Sequence, residues 1–252
     1  MMNSIFRNMP PVVKNLVILN LIMYGITFLA GMQDIHLSFL LGGYVFNSPF
    51  FEPFQIVTHF FMHGGFFHLF FNMFALVVFG SVLEQVWGPK RFFIFYVATA
   101  VGAFFIHQMV GFYEVNHIKE QLLANGLSQN DFFELNDRMR ELRSSGRMLT
   151  SSSGLIQDYI TGISVPVVGA SGAVYGVLVA FGMLFPNTRL MLLFPPIPIK
   201  AKWLVLIMIG IEFYYTFQSV PGDNIAHLAH IGGAIIGFIL VLFWKKNTPK
   251  FY

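Results

Sequence analysis

Cysteine is absent from the 252 residues, which excludes a disulfide framework, a thiolate zinc site and a cysteine nucleophile, while leaving the redox compartment open. Charge is nearly as scarce. Only 11% of the residues are Asp, Glu, Lys or Arg, against about 25% in a soluble domain. With 56% hydrophobic residues, 31 Phe and a mean hydropathy of +0.66, the polar side chains are too few to cover a water-facing surface. The bilayer must therefore be the solvent for much of the chain. A net charge of +3 would suggest nucleic acid in a soluble protein. Here the basic residues are better explained by membrane topology, and no nucleic-acid partner is expected.

Six apolar segments of roughly membrane-spanning length can be found. They cover residues 16–31, 66–83, 92–112, 169–185, 203–217 and 225–244. The first follows Arg7 and Lys14 and could pass for a signal peptide, but it has no small-residue cleavage site before Gln33 and Asp34, so it reads as an uncleaved helix. Short cytoplasmic loops accumulate Lys and Arg. With six spans, Arg7 and Lys14, then Lys90 and Arg91, then Arg189, Lys200 and Lys202, then Lys245, Lys246 and Lys250 all fall on one side. The opposite loops 32–65 and 218–224 contain neither Lys nor Arg. The expectation is an all-α bundle with both termini inside.

The middle outer connection, 113–168, carries five basic and seven acidic residues. Long loops cross regardless of charge. We expect one membrane domain over 1–252 with an extramembrane helical insert at 113–165. The insert reads as two short helices, 114–124 and 129–144, the second opened by a capping box of Ser128 and Asp131. Phe132, Leu135, Met139 and Leu142 line one face of it. That stripe could lie on the membrane, dock on the core or pair with another copy. Residues 144–154, with five Ser, read as a flexible link.

Polar groups inside apolar helices are costly and mark functional candidates. Three sets stand out: His68 with Asn72, Gly169-Ala170-Ser171-Gly172, and Ala229-His230 followed by Gly233 and Gly237. Taken singly, each has a bland explanation as packing, polar glue or an interhelical bridge. Depth changes the weighing. Spans two, four and six all run from the outer face inward, and His68, Ser171 and His230 lie near their starts, within about 10 Å of one face at 1.5 Å per residue. Small residues around Ser171 and His230 would let spans four and six touch. That contact would bring the Ser171 hydroxyl to His230, the arrangement that activates a nucleophile. Tyr175, one turn below Ser171, could stack on the imidazole. His68, Asn72 and the Ser171 backbone N–H are candidate donors for an oxyanion. Glu212 and Asp223 are the nearby acids, neither with evident geometry, so a Ser-His dyad is favoured.

At these residues the chain resembles the rhomboid family of intramembrane serine proteases. The likeness rests on the GxSG box at Gly169 to Gly172, the HxxxN pair His68 and Asn72, the AHxxGxxxG run from Ala229 to Gly237, Tyr175, and the entry segment PFQIVTHFFMH from Pro53 to His63. The resemblance implies Ser171 as nucleophile, His230 as general base and acid, and His68 with Asn72 in the oxyanion hole. It implies hydrolysis of a peptide bond in or beside a substrate's transmembrane helix, with no cofactor. Two departures are visible: the first loop lacks the family's common Trp-Arg pair, and the insert is longer than in compact members.

Other readings remain. His59 with His63, and His227 with His230, have spacings that can bind zinc, but Phe60 stands where a metalloprotease would place its glutamate. No metal is expected, and His63 and His227 are read as hydrogen-bonding the loop ends around the site. A non-catalytic relative that binds or escorts membrane helices is the main alternative. A transporter is disfavoured by the absence of an inverted repeat or an acidic relay. Span five, with Trp203, Phe213, Tyr214, Tyr215 and Phe217, reads as a bulky gate to a pocket facing outward. Basic inner loops suggest a bacterial plasma membrane. Oligomeric state is open.

Overall fold

The computed structural model describes residues 9–144, 149–152, 154–192, 196–218 and 226–246. Arg7, Arg147, Asp223 and Lys250 from the sequence reading lie outside these residues, as do parts of the Ser-rich link and the loop before the last helix. In chain order the helices are α1 (Pro11–Gly31), α2 (Leu37–Leu41), α3 (Gln55–Thr58), α4 (Phe66–Trp87), α5 (Pro89–Ala124), α6 (Gln129–Ser144), α7 (Gly154–Ser164), α8 (Ser171–Leu184), α9 (Ala201–Thr216) and α10 (His227–Lys246). Helices α1, α4, α5 and α10 are long and apolar enough to cross a membrane; α8 is apolar but only 14 residues long. The fold is a helical membrane bundle. A two-stranded hairpin, β1 (Arg189–Met191) paired with β2 (Pro198–Lys200), is the one sheet among the described residues and was not anticipated.

Helix α8 sits at the centre. Ten of its residues are buried, from Gly172 to Gly182, with α5 and α10 against it. At 1.5 Å per residue it spans about 21 Å, well short of the roughly 30 Å hydrocarbon layer. Residues 165–170, which lead into its N-terminus, are not helical, and inside a membrane protein such backbone needs its polar groups paired. That backbone is paired. Gly43 and Val167 form a two-way bridge, each N–H donating to the other's carbonyl at 2.9 and 2.8 Å, and Gly169 N–H donates to the His59 carbonyl at 2.9 Å. The loop holding His59 is itself organised by buried Gln55, whose amide donates to the Leu40 and Phe50 carbonyls at 3.1 and 3.0 Å.

The first turn of α1 is held by another helix. Pro11 at its start has no N–H to satisfy, and the next two donors, Val12 and Val13, bond the two oxygens of buried Glu84 on α4 at 2.9 and 2.8 Å. A carboxylate at the positive end of a helix is doubly favourable. Glu84→Ala strands both N–H groups, and we expect a loss of about 3 kcal/mol, read as a lowered unfolding midpoint in detergent, with Glu84→Gln intermediate.

The insert departs from its expected form. Residues 114–124 do not make a separate short helix: α5 runs unbroken for 36 residues, because nothing between Phe112 and Ala124 breaks the helix before Asn125-Gly126, where Gly126 takes φ +100°. Helix α7 was missed, although Leu155, Ile156, Tyr159, Ile160 and Ile163 have helical spacing. The capping box is present, with the Asp131 carboxylate accepting from Ser128 N–H and Oγ at 2.6 and 2.9 Å, which holds that carboxyl below the usual range. Of the three uses open to the α6 stripe, docking is the one observed. Phe132 and Met139 are buried in a second core with Val45, Val115, Leu122, Tyr159, Ile160 and Ile163. Arg143 on α6 lies over the rings of Phe50 and Tyr44, 4.2 and 4.8 Å from their centroids, so the insert also clamps the first loop. Burial pushes the Tyr44 phenol up to about 12.

Candidate active site

Contact between α8 and α10 is made by glycine. A Cβ on Gly233 would fall 1.9 Å from the Gly172 carbonyl oxygen, and one on Gly237 would fall 2.7 Å from the Gly176 Cα. The opposite side of α8 is as close, since Gly172 and Gly176 face Ala103 and Thr99 of α5. Backbone contact of this kind fixes the register of the two helices. In that register His230 Nε2 lies 2.7 Å from Ser171 Oγ. The Tyr175 ring stacks on the imidazole, centroids 4.5 Å apart at 11°. The pairing and the stacking expected from depth and spacing are thus both present.

Ser171 is the first residue of α8, which has no side-chain cap. Its unsatisfied N–H groups give this end of the helix positive character. A small cavity of about 10 Å³ adjoins it, lined by His59, Phe104, Gly169, Ser171, Ala173 and Ala229 among others. Gly169, at φ +121°, is glycine for two reasons: the left-handed backbone, and the His68 Nε2 that would lie 2.6 Å from a Cβ there. His68 Nε2 and Ser171 Oγ both lie within 4 Å of that point, so the imidazole of α4 is brought to the serine. Asn72 is buried, and its Nδ2 donates to the His68 carbonyl at 2.8 Å, leaving its second N–H for another acceptor.

The acid is where sequence reasoning fell short. Glu212 of α9 is buried, and its Oε2 lies 3.0 Å from His230 Nδ1 and 2.5 Å from His227 Nδ1. Tyr175 Oη donates to Glu212 Oε1. A carboxylate therefore does lie beside the imidazole, contrary to the expectation of a dyad without one. His227 Nδ1 contacts Glu212 Oε2. His63 is buried edge-on to His68, with ring centroids 5.1 Å apart, and neither of its nitrogens makes an aligned hydrogen bond with a described residue.

Glu212, His227 and His230 place three possible metal donors within 4.8 Å of one another. Tetrahedral zinc with bonds near 2.0–2.1 Å holds its ligand atoms roughly 3.3 Å apart. The Glu212 contacts, at 2.5 and 3.0 Å, have hydrogen-bond spacing instead. His59, from the other suggested pair, has Nδ1 2.8 Å from the Gln55 carbonyl oxygen and its ring stacked on Phe104.

Serine, histidine and glycine frame are arranged as the sequence motifs required. The Rhomboid domain family model matches residues 51–129 and 144–247. The chain belongs to the rhomboid family. It is an integral membrane protein of helical rhomboid fold, and the stretch 130–143 between the two matched segments falls within α6. Among curated proteins it is similar to Rhomboid protein 1, mitochondrial, of Saccharomyces cerevisiae, 24% identical over 196 residues covering 78% of this chain and 43% of that protein. It is also similar to Rhomboid-like protein 15 of Arabidopsis thaliana, 24% identical over 188 residues covering 75% of this chain and 36% of that protein. The chain spans less than half the length of either relative. These rhomboid relatives lend no support to a bacterial plasma membrane.

Proposed function

We propose that this rhomboid is an intramembrane serine endopeptidase that cuts substrates in or next to a transmembrane helix. The observation that carries the reading is the 2.7 Å approach of His230 Nε2 to Ser171 Oγ at the start of a buried helix. His230 takes the hydroxyl proton as Oγ attacks the scissile carbonyl. The Ser171 N–H, the His68 imidazole and the free N–H of Asn72 stabilise the oxyanion. His230 then protonates the leaving amine, and water releases the acyl group by the reverse path. The positive-inside distribution supports six spans with both termini inside, an outward-facing site, and residues 113–165 as an extramembrane insert. Partners are the transmembrane segments of membrane-protein substrates within the lipid bilayer.

The direct test is cleavage of a labelled single-span reporter in liposomes, with products mapped by mass spectrometry and with chelator present. Chelator-resistant cleavage that His230→Ala abolishes supports the proposal. Reporter binding without any cleavage by the intact protein would favour the helix-escorting alternative instead. Helix α9 serves as the gate, since it presents exposed Trp203, Phe213 and Tyr214, with exposed Phe217 just past its end. Phe213 and Phe217 contact each other, centroids 4.9 Å apart. Shrinking both to Ala is expected to raise turnover a few-fold. Unchanged turnover of the reporter would place the entry elsewhere.

A further inference from the structure

We infer that Glu212 is a positioning residue for His230, so that the machinery is a Ser-His-Glu constellation whose acid is carried by the gate helix α9. The inference rests on the protease reading above and deepens it. A histidine that accepts the Ser171 proton at Nε2 must carry its own proton on Nδ1, and inside an apolar bundle that N–H needs an acceptor. Glu212 Oε2, 3.0 Å away, is that acceptor. The N–H does not yet point along the contact, and His230 Nδ1 makes no aligned hydrogen bond with a described residue. Catalytic hydrogen bonds often tighten only when substrate is bound.

The carboxylate is itself held. Tyr175 Oη donates to Oε1 and His227 Nδ1 contacts Oε2 at 2.5 Å, while the Tyr215 ring stacks on His227 with centroids 5.5 Å apart. Tyr175 thus has two roles, its face against the His230 ring and its hydroxyl on the acid that orients that ring. During attack the Oγ–H proton moves to Nε2 as the Oγ–C bond forms, and the imidazolium positive charge then faces Glu212. The same proton leaves with the amine as the C–N bond breaks, so Glu212 exchanges no proton over the cycle. Because the acid lies on α9, a movement of that helix that admits substrate also changes the orientation of the base. Gate and catalyst are mechanically one element.

Glu212→Gln separates this role from packing. Three hydrogen-bond donors converge on the carboxylate, and a carboxamide of the same shape offers one oxygen and must turn its NH₂ toward at least one of them. Using the full chain in liposomes, we expect Glu212→Gln to lower kcat for the reporter by about 10²- to 10⁴-fold with KM changed less than about threefold. Glu212→Asp should recover at least about tenfold of that loss by restoring the charge. Unfolding midpoints in detergent and Ser171→Ala are measured in parallel. Wild-type kcat in Glu212→Gln, beside a dead Ser171→Ala, overturns the role of Glu212 while leaving the protease reading intact. Equal losses in the Gln and Asp variants that track a fallen unfolding midpoint reduce Glu212 to a structural residue and also overturn it. A wild-type chain that cleaves nothing overturns both readings together.

Discussion

Ser171→Ala is expected to lower kcat by at least about 10⁴-fold while leaving the fold intact. Ser171 opens α8 and is half-buried, so its hydroxyl contributes little to packing. Among the described residues, its one hydrogen-bonding contact to another side chain is with His230 Nε2, and the Tyr175 ring stays stacked on the imidazole without it. The variant should therefore unfold at the wild-type midpoint and still bind the reporter. No nucleophile remains to form the acyl intermediate. Parallel loss of cleavage, stability and binding would instead make Ser171 part of the scaffold.

Gly233→Val should also cut turnover, by a different route. A side chain at residue 233 meets the Gly172 carbonyl oxygen at 1.9 Å, and the obstacle is backbone, so α10 must move away from α8 by more than an ångström. His230 lies one turn earlier on α10 and would move with it, leaving hydrogen-bond reach of Ser171. A misplacement of about 1 Å costs on the order of 10² in rate, and overpacking of this kind costs about 1–3 kcal/mol or more in stability. Both should be visible, in reporter turnover and in the unfolding midpoint. Gly210 on α9 provides the control. A Cβ there meets nothing within 4 Å and Ala is the better helix former, so Gly210→Ala should leave turnover unchanged and should not lower the midpoint.

The comparison of these glycines also explains what could be read from the sequence. Gly172, Gly176, Gly233 and Gly237 announce a close helix crossing by their spacing alone, and Ser171 and His230 lie beside them, so the pair was legible as a consequence of local pattern. Apolar runs likewise located the membrane helices, because a bilayer imposes both length and composition. Glu212 is different. Its meeting with His230 depends on the rotation of α9 about its own axis, which a nearly uniform apolar helix does not encode. Helix α7 and the continuity of α5 escape for another reason: the change from apolar to polar composition near Phe112 reads as a helix end although nothing there breaks the helix, and the Ser-rich link at 144–154 draws attention from the helical spacing at Leu155 to Ile163. The docking of α6 rests on tertiary contacts with Val45 and Val115, which a stripe of apolar residues permits but does not specify.

The most direct test of the central claim is labelling by a fluorophosphonate probe, which reports an activated serine without needing a substrate. The intact protein in detergent should gain one adduct, mapped by mass spectrometry to Ser171, and His230→Ala should lose it. Labelling spread over several serines, or undiminished in His230→Ala, would contradict a nucleophile activated by that histidine.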